Sequence, residues 1–198
     1  IMLKKLTFIS LLLLLFVSCE DNKKTQSHRV AESQSQSQRQ VVPDFNADSA
    51  YHYVKQQLDF GPRVPGSEAH AQCVEWFIDF FNDKADTVYI QDFRTRLYNG
   101  DGIDGKNIIA SFNPQAKKRI LLAAHYDSRP FADHDPDENN WNTPIDGAND
   151  GASGVGVLME IARLLKDNPT KAGIDIILFD LEDYGAPAYE NIMTNDDW

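Results

Sequence analysis

The sequence predicts an α/β fold built on a mixed, mostly parallel central sheet with helices on both faces. Two short apolar runs carry most of that expectation: Ile120-Leu121-Leu122-Ala123-Ala124 and Ile174-Asp175-Ile176-Ile177-Leu178-Phe179. Runs apolar on both faces of a strand belong in the interior of a sheet that is covered on both sides. Between them, residues 153–166 repeat apolar side chains at helical spacing, with Val155, Leu158, Ile161, Ala162 and Leu165 on the buried side. Strand, helix and strand in that order form the crossover that joins parallel neighbours.

The remaining elements follow in order. Residues 48–58 set Ala50, Tyr51, Val54 and Leu58 at helical spacing, and Gly61-Pro62-Arg63-Val64-Pro65-Gly66 ends that helix with two prolines. Ser67 suits the N-cap of a second helix, in which Cys73, Trp76, Phe77, Phe80 and Phe81 make one wide apolar face. Cys73 reads as a buried hydrophobe within that face, not as a nucleophile or disulfide partner. Strand-like stretches follow at 87–93, 107–112 and 119–125. The expected domain is 43–198, a length that suits one core.

Ahead of it, residues 20–42 are rich in Gln, Ser, Lys and Asn and read as a flexible tether. Residues 1–19 have the order of an export signal: Lys4 and Lys5, an apolar stretch over 6–17, then Ser18 and Cys19. That stretch is short of the about 20 residues a membrane-spanning helix needs. Val17-Ser18-Cys19 resembles a bacterial lipobox, which implies acylation of Cys19 and an exported enzyme held to the cell envelope, on its periplasmic or outer surface. Each buried acyl methylene would contribute about 0.8 kcal/mol to that anchorage. An ordinary signal peptide with an incidental cysteine is the alternative.

Nineteen Lys and Arg against thirty Asp and Glu give a formal charge of -11. Such a chain repels phosphate backbones, so nucleic acid is not an expected partner. The acidity reads first as a solubilising surface.

Three polar clusters fall where the predicted strands and helix end. His125-Tyr126-Asp127 closes one apolar strand, Asn149-Asp150-Gly151 opens the following helix, and Glu182-Asp183 closes the next strand. Ligand crevices in open α/β sheets lie at the carboxyl ends of the strands, so the three should converge. None of them contains Lys or Arg. Gathered carboxylates without a cation repel one another, and a bound metal is the natural partner; mixed nitrogen and oxygen donors suit zinc. Each cluster has a plainer reading. His125 alone fits a buried histidine bonded to a carbonyl, Asp150 alone fits a helix cap, and Glu182-Asp183 alone fits a solvated turn. Asp127, two residues beyond His125, is expected on the same side and able to orient the ring. Asp133-His134-Asp135-Pro136-Asp137 departs from a calcium loop at Glu138 and Pro144 and reads as a polar surface loop. The glycines of Gly151-Ala152-Ser153-Gly154-Val155-Gly156 follow a loop instead of a strand, which argues for close helix packing and against dinucleotide binding.

Gly61-Pro62-Arg63 with Pro65-Gly66-Ser67, Ala124-His125-Tyr126-Asp127-Ser128-Arg129, Gly147-Ala148-Asn149-Asp150-Gly151-Ala152-Ser153-Gly154 and Phe179-Asp180-Leu181-Glu182-Asp183 together resemble the M28 zinc aminopeptidases and their relatives, the glutaminyl-peptide cyclotransferases. The resemblance covers the chain from about residue 43 and implies a zinc-exopeptidase-like fold. It implies zinc ligation by Asp150 and Asp183 and proton handling by Glu182. His125 matches a second-metal ligand in the two-zinc peptidases and a non-ligand in the one-zinc cyclases, with Asp127 behind it in both. The acidic pair written Glu182-Asp183, where the peptidases usually carry Glu-Glu, and the run Ser128-Arg129-Pro130-Phe131-Ala132-Asp133 favour the cyclase. The expected substrate is the N-terminus of a peptide or protein. The family's last zinc ligand, a histidine near the C-terminus, has no counterpart here, so the chain reads as the N-terminal portion of the catalytic domain, incomplete at its C-terminus and inactive alone. Besides cyclase and aminopeptidase, a third reading is a lipoprotein binding module that keeps the fold without catalysis.

Overall fold

The computed structural model describes residues 42–190. The expected signal with Cys19, and the tether up to residue 41, lie outside the described residues. Among those residues no helix is long and apolar enough to cross a membrane.

Helix α1 (Ala47–Asp59) starts at Asn46, whose side chain accepts from Ser49 N. Its apolar face differs in one position from expectation: Tyr51 is exposed, and the buried residues include Gln57. The Gln57 amide reaches Ala152 O at 3.0 Å, tying this helix to the start of a later one. Ser67 caps α2 (Glu68–Lys84) as expected, accepting from His70 N. Cys73, Val74, Phe77 and Phe81 of α2 are fully or almost fully buried. Burial pushes the Cys73 thiol up to about 12, so it is an inert hydrophobe at neutral pH.

Strands β1 (Thr87–Arg96), β2 (Gly102–Phe112), β3 (Arg119–His125) and β4 (Gly173–Phe179) form one sheet in the order β1-β2-β4-β3. The pairs β1 with β2 and β2 with β4 are antiparallel, and β3 with β4 is parallel. Helix α3 (Ala152–Asp167) connects the parallel pair, as the crossover pattern predicted. The α/β class and the mixed sheet are therefore as expected, but three details differ among the described residues. Only one of the three pairings is parallel, because the long β1–β2 hairpin joins the sheet antiparallel. All three helices pack on one side, where the register aligns Ile108, Ala110, Ile176, Leu178, Leu122 and Ala124. Third, β3 is an edge strand instead of an interior one, with Ile120 51% and Leu121 59% exposed. An unbroken apolar run records that both faces of a strand are apolar, not what lies beside it.

The core sits between that sheet face and α2 and α3, with α1 packed on the outside of α3. Gly156 makes the α1–α3 approach possible. A Cβ there would lie 2.7 Å from Ala50 O and 2.8 Å from a Val54 methyl. The glycines of this segment thus serve close packing, as expected.

Candidate metal and catalytic site

The carboxyl ends of β3 and β4 lie side by side because their register pairs His125 with Phe179. Tyr126 N extends the pairing by donating to Phe179 O at 3.0 Å. Beyond it Asp127 turns inward and is fully buried. Its carboxylate accepts from the backbone N–H groups of Glu182 at 3.3 Å and Asp183 at 3.0 Å. One buried side chain thereby fixes the backbone of the acidic pair.

The imidazole of His125 stands between carboxylates. Nε2 is 2.7 Å from Oδ1 of Asp150, and Nδ1 is 3.4 Å from Oδ1 of Asp127 and 3.8 Å from Oε2 of Glu182. Gly151 permits this arrangement, since a Cβ there would lie 2.4 Å from His125 O and 2.7 Å from the ring. The Asp150–Gly151 peptide bond is cis. Asp127 first, then Asp150 and Glu182, raise the imidazole to about 9 against the opposing effect of burial. Asp183 is raised as well, which for an acid favours the neutral form: burial, then the neighbouring Asp150 carboxylate, push it up to about 6.

The three clusters lie together at the strand ends, with His125 within 2.7 Å of Asp150 and 3.8 Å of Glu182. His125 faces carboxylates and no backbone carbonyl. The N-cap of α3 is Gly151 without a side-chain cap bond, so Asp150 does not serve as the cap. Glu182 is open to solvent with its side chain 62% exposed, whereas the Asp183 side chain is only 17% exposed.

The arrangement fits a zinc ion in its chemistry. Among the described residues Asp183 Oδ2 is buried with no hydrogen-bond partner, which for a carboxylate oxygen is costly unless a cation or donor satisfies it. Asp150 and Asp183 supply oxygen donors that zinc accepts, and the His125 ring offers a nitrogen only where its contact with Asp150 opens. Among the described residues no three His, Cys, Asp or Glu side chains are grouped closely enough to enclose an ion; His125 and Asp150 are bonded directly to each other.

Several residues that shape the site were not singled out for it by sequence. Arg63 is fully buried, and its guanidinium donates to Tyr126 O at 2.9 Å, Asp146 O at 3.0 Å and Gly147 O at 3.0 Å. It clamps the His125 strand end to the loop that leads to Asp150. The expectation of a cation-free cluster also needs correction: Arg129 Nη1 lies 3.3 Å from Asp183 O and 3.9 Å from Asp183 Oδ1. Arg129 in turn pairs with both oxygens of Asp133, at 2.9 and 2.5 Å. Asp133 is buried and also accepts from Ala188 N at 2.6 Å, so it anchors two segments instead of lying on a surface loop. Asp180 is a third buried carboxylate, bonded to His70. The quoted motifs contained Arg129, Asp133 and Asp180; what the sequence lacked was any sign of partners 50 to 110 residues away.

Residues 107–196 match the model of Peptidase family M28. Among solved structures, glutaminyl cyclase from Tannerella forsythia is 48% identical with a TM-score of 0.75, over 79% of this chain and 54% of that one. A Zn-dependent exopeptidase from Parabacteroides distasonis is 50% identical with a TM-score of 0.76, over 80% of this chain and 54% of that one. The alkaline phosphatase isozyme conversion protein of Escherichia coli is 32% identical over 106 residues, which are 53% of this chain and 31% of that protein. The chain thus spans about half the length of the solved structures and about a third of that curated relative.

Proposed function

We propose that this chain, related to peptidase family M28 through residues 107–196, is part of a zinc-dependent glutaminyl-peptide cyclotransferase that converts an N-terminal glutamine to pyroglutamate and releases ammonia. The observation that carries the choice is the position of His125. Nε2 lies 2.7 Å from Asp150, while Nδ1 is buried 3.4 Å from Asp127 without a hydrogen bond, and we read the Nε2 contact as that of a partner holding an acidic ligand. One zinc, held by Asp150 and Asp183, goes with cyclisation. The likeness to the Tannerella forsythia cyclase supports the same choice. The likeness to the Parabacteroides distasonis exopeptidase keeps an aminopeptidase, with two zincs and His125 as a ligand, as the second reading. A non-catalytic binding module is the third.

When bound, zinc would act as a Lewis acid toward the side-chain amide of the substrate glutamine. The exposed Glu182 carboxylate takes a proton from the substrate's α-amine as its nitrogen attacks the amide carbon. It returns that proton to the departing nitrogen, so that the C–N bond to the side-chain amide breaks as ammonia leaves and the lactam closes. Asp127 holds Glu182 by its backbone, which keeps the carboxylate over the crevice while the side chain stays free. Because the nucleophile and the amide belong to one residue, orientation alone supplies much of the rate; effective molarities for such attack reach about 10⁵ M or more. The same reading carries an exported, lipid-anchored enzyme, with Cys19 as the acylated residue.

The test incubates the full-length protein and zinc with a Gln-peptide and a Leu-peptide, followed by mass spectrometry. Loss of one ammonia from the Gln-peptide supports the cyclase, and a freed leucine moves the assignment to the aminopeptidase. Neither product would overturn both enzymatic readings.

A further inference from the structure

We propose that His70 is a positioning residue for the zinc site, acting through Asp180 to hold the turn that carries Glu182 and Asp183. The inference rests on the zinc reading above and goes beyond it by assigning a role to a pair outside the site.

Asp180 directly follows β4, with its side chain fully withdrawn from solvent. Its Oδ1 accepts from His70 Nε2 at 2.9 Å and from Leu181 N at 2.9 Å, and its Oδ2 accepts from Lys106 N at 2.8 Å. A carboxylate in that setting is an acceptor, so the proton lies on Nε2 of the imidazole. Each of the three donors comes from a different place: the first turn of α2, the turn itself, and β2.

The turn needs this support. Leu181 has a φ of 62°, in the left-handed region that a branched side chain rarely enters. Its side chain lies over Gly105, where a Cβ would come within 2.6 Å of a Leu181 methyl. Directly after it, the backbone N–H groups of Glu182 and Asp183 donate to Asp127. The acidic pair is therefore held from two sides, by Asp127 beyond the turn and by Asp180 before it.

His70 also touches the other segment of the site. Its ring stacks on Tyr126 with centroids 5.3 Å apart and an interplanar angle of 23°. Tyr126 lies between His125 and Asp127, and its hydroxyl donates to Lys106 O at 2.8 Å. The ring stack and the hydrogen bond are separable. A phenylalanine keeps the ring and loses the donor, while a glutamine keeps a donor near the Nε2 position and loses the ring. His70 and Asp180 also line an open cavity of about 240 Å³ together with Ser67 and Glu75, which leaves space for either side chain.

The experiment prepares the full-length protein as wild type, H70F and H70Q. Zinc affinity is measured by competition with a fluorescent chelator, and thermal melting is measured with the metal stripped. If the bond to Asp180 positions the ligands, H70F binds zinc about tenfold more weakly and H70Q stays within about twofold of wild type, the scale known for outer-sphere partners of metal ligands. Metal-free melting falls in both variants, because H70F strips a donor from the buried Asp180 carboxylate and H70Q loses the stack, so the split in zinc affinity is what separates positioning from stability. Full zinc affinity in H70F with reduced affinity in H70Q, or equal affinity in all three, overturns the proposal. A folded wild type that binds no zinc overturns the functional reading itself, and the role of His70 with it.

Discussion

The backbone N–H of Asp183 donates to Oδ2 of Asp127 at 3.0 Å across 56 residues of chain. A buried acid at the end of one strand thus sets the height of a candidate ligand at the end of the next. Asp127 needs no contact with substrate or metal to matter. Its replacement by asparagine keeps one acceptor oxygen but turns an NH₂ group toward a backbone N–H. D127N is expected to lose about 1 to 3 kcal/mol of stability and to weaken zinc binding about 10-fold or more, read by denaturant titration and chelator competition.

Glu182 makes the opposite prediction, because its side chain is open to solvent and its contact with His125 is loose at 3.8 Å. E182Q should retain stability and zinc affinity within error while its turnover of a Gln-peptide falls by about 10² to 10⁴, the usual contribution of general acid–base catalysis. Loss of zinc in E182Q would make this residue a ligand and leave the proton transfer without a carrier.

The contrast between these two acids marks what sequence could reveal. His125, Asp150, Glu182 and Asp183 could be grouped from sequence because each stands where a periodic apolar run starts or stops, and topology brings such ends together. Arg63, Arg129, Asp133 and Asp180 were not legible as parts of the site, since their partners are set by tertiary packing: Asp180 finds His70 across 110 residues and Arg129 finds Ala186 across 57. Strand identity was readable in Arg119–His125, but its place at the edge was not. Apolarity describes a strand's faces, and sheet order depends on which neighbours pair with it. Tyr51 failed for a related reason: helical spacing fixed its face, and the buried polar Gln57 occupies the interior in its stead.

Acid stability should depend on Asp133. The Arg129 guanidinium beside it holds its carboxyl well below the usual carboxylate range, aided by the Ala188 N–H and opposed by burial. A depressed acid contributes stability that is fully present above its unfolded value near about 4 and is lost as the pH falls through the folded value. D133N should therefore cost about 3 kcal/mol at neutral pH, the lower end of what breaking a buried pair costs because Arg129 is partly exposed. The cost should shrink steadily below about pH 4. A difference independent of pH would mean that Asp133 acts by packing alone.

Gly156 offers a stability prediction separate from the chemistry. A methyl group there meets the backbone oxygen of Ala50, which cannot rotate away, so α1 must move off α3. G156A should lower stability by about 1 to 3 kcal/mol and leave zinc affinity unchanged, since the contact is with Ala50 and Val54 of α1 and with no residue of the site. Thermal melting with and without zinc checks both halves.

The pH dependence of metal binding separates the one-zinc and two-zinc readings. Asp183 is raised to about 6 in the metal-free protein by burial and then by Asp150. A raised acid has the reverse sign from Asp133: the metal-free fold gains stability as the pH falls from about 6 toward about 4, because the folded state takes up the proton first. Zinc needs the carboxylate, so its affinity should be level above about pH 6 and fall by about tenfold per unit below it, one proton being displaced per ion. His125 supplies the discriminating arm. It is raised to about 9 by Asp127 and then Asp150, so a zinc that used its ring nitrogen would have to displace a proton throughout the neutral range. A single binding event that levels off near pH 6 to 7 supports one zinc on Asp150 and Asp183. A second binding event that displaces a further proton makes His125 a ligand and moves the assignment to the aminopeptidase.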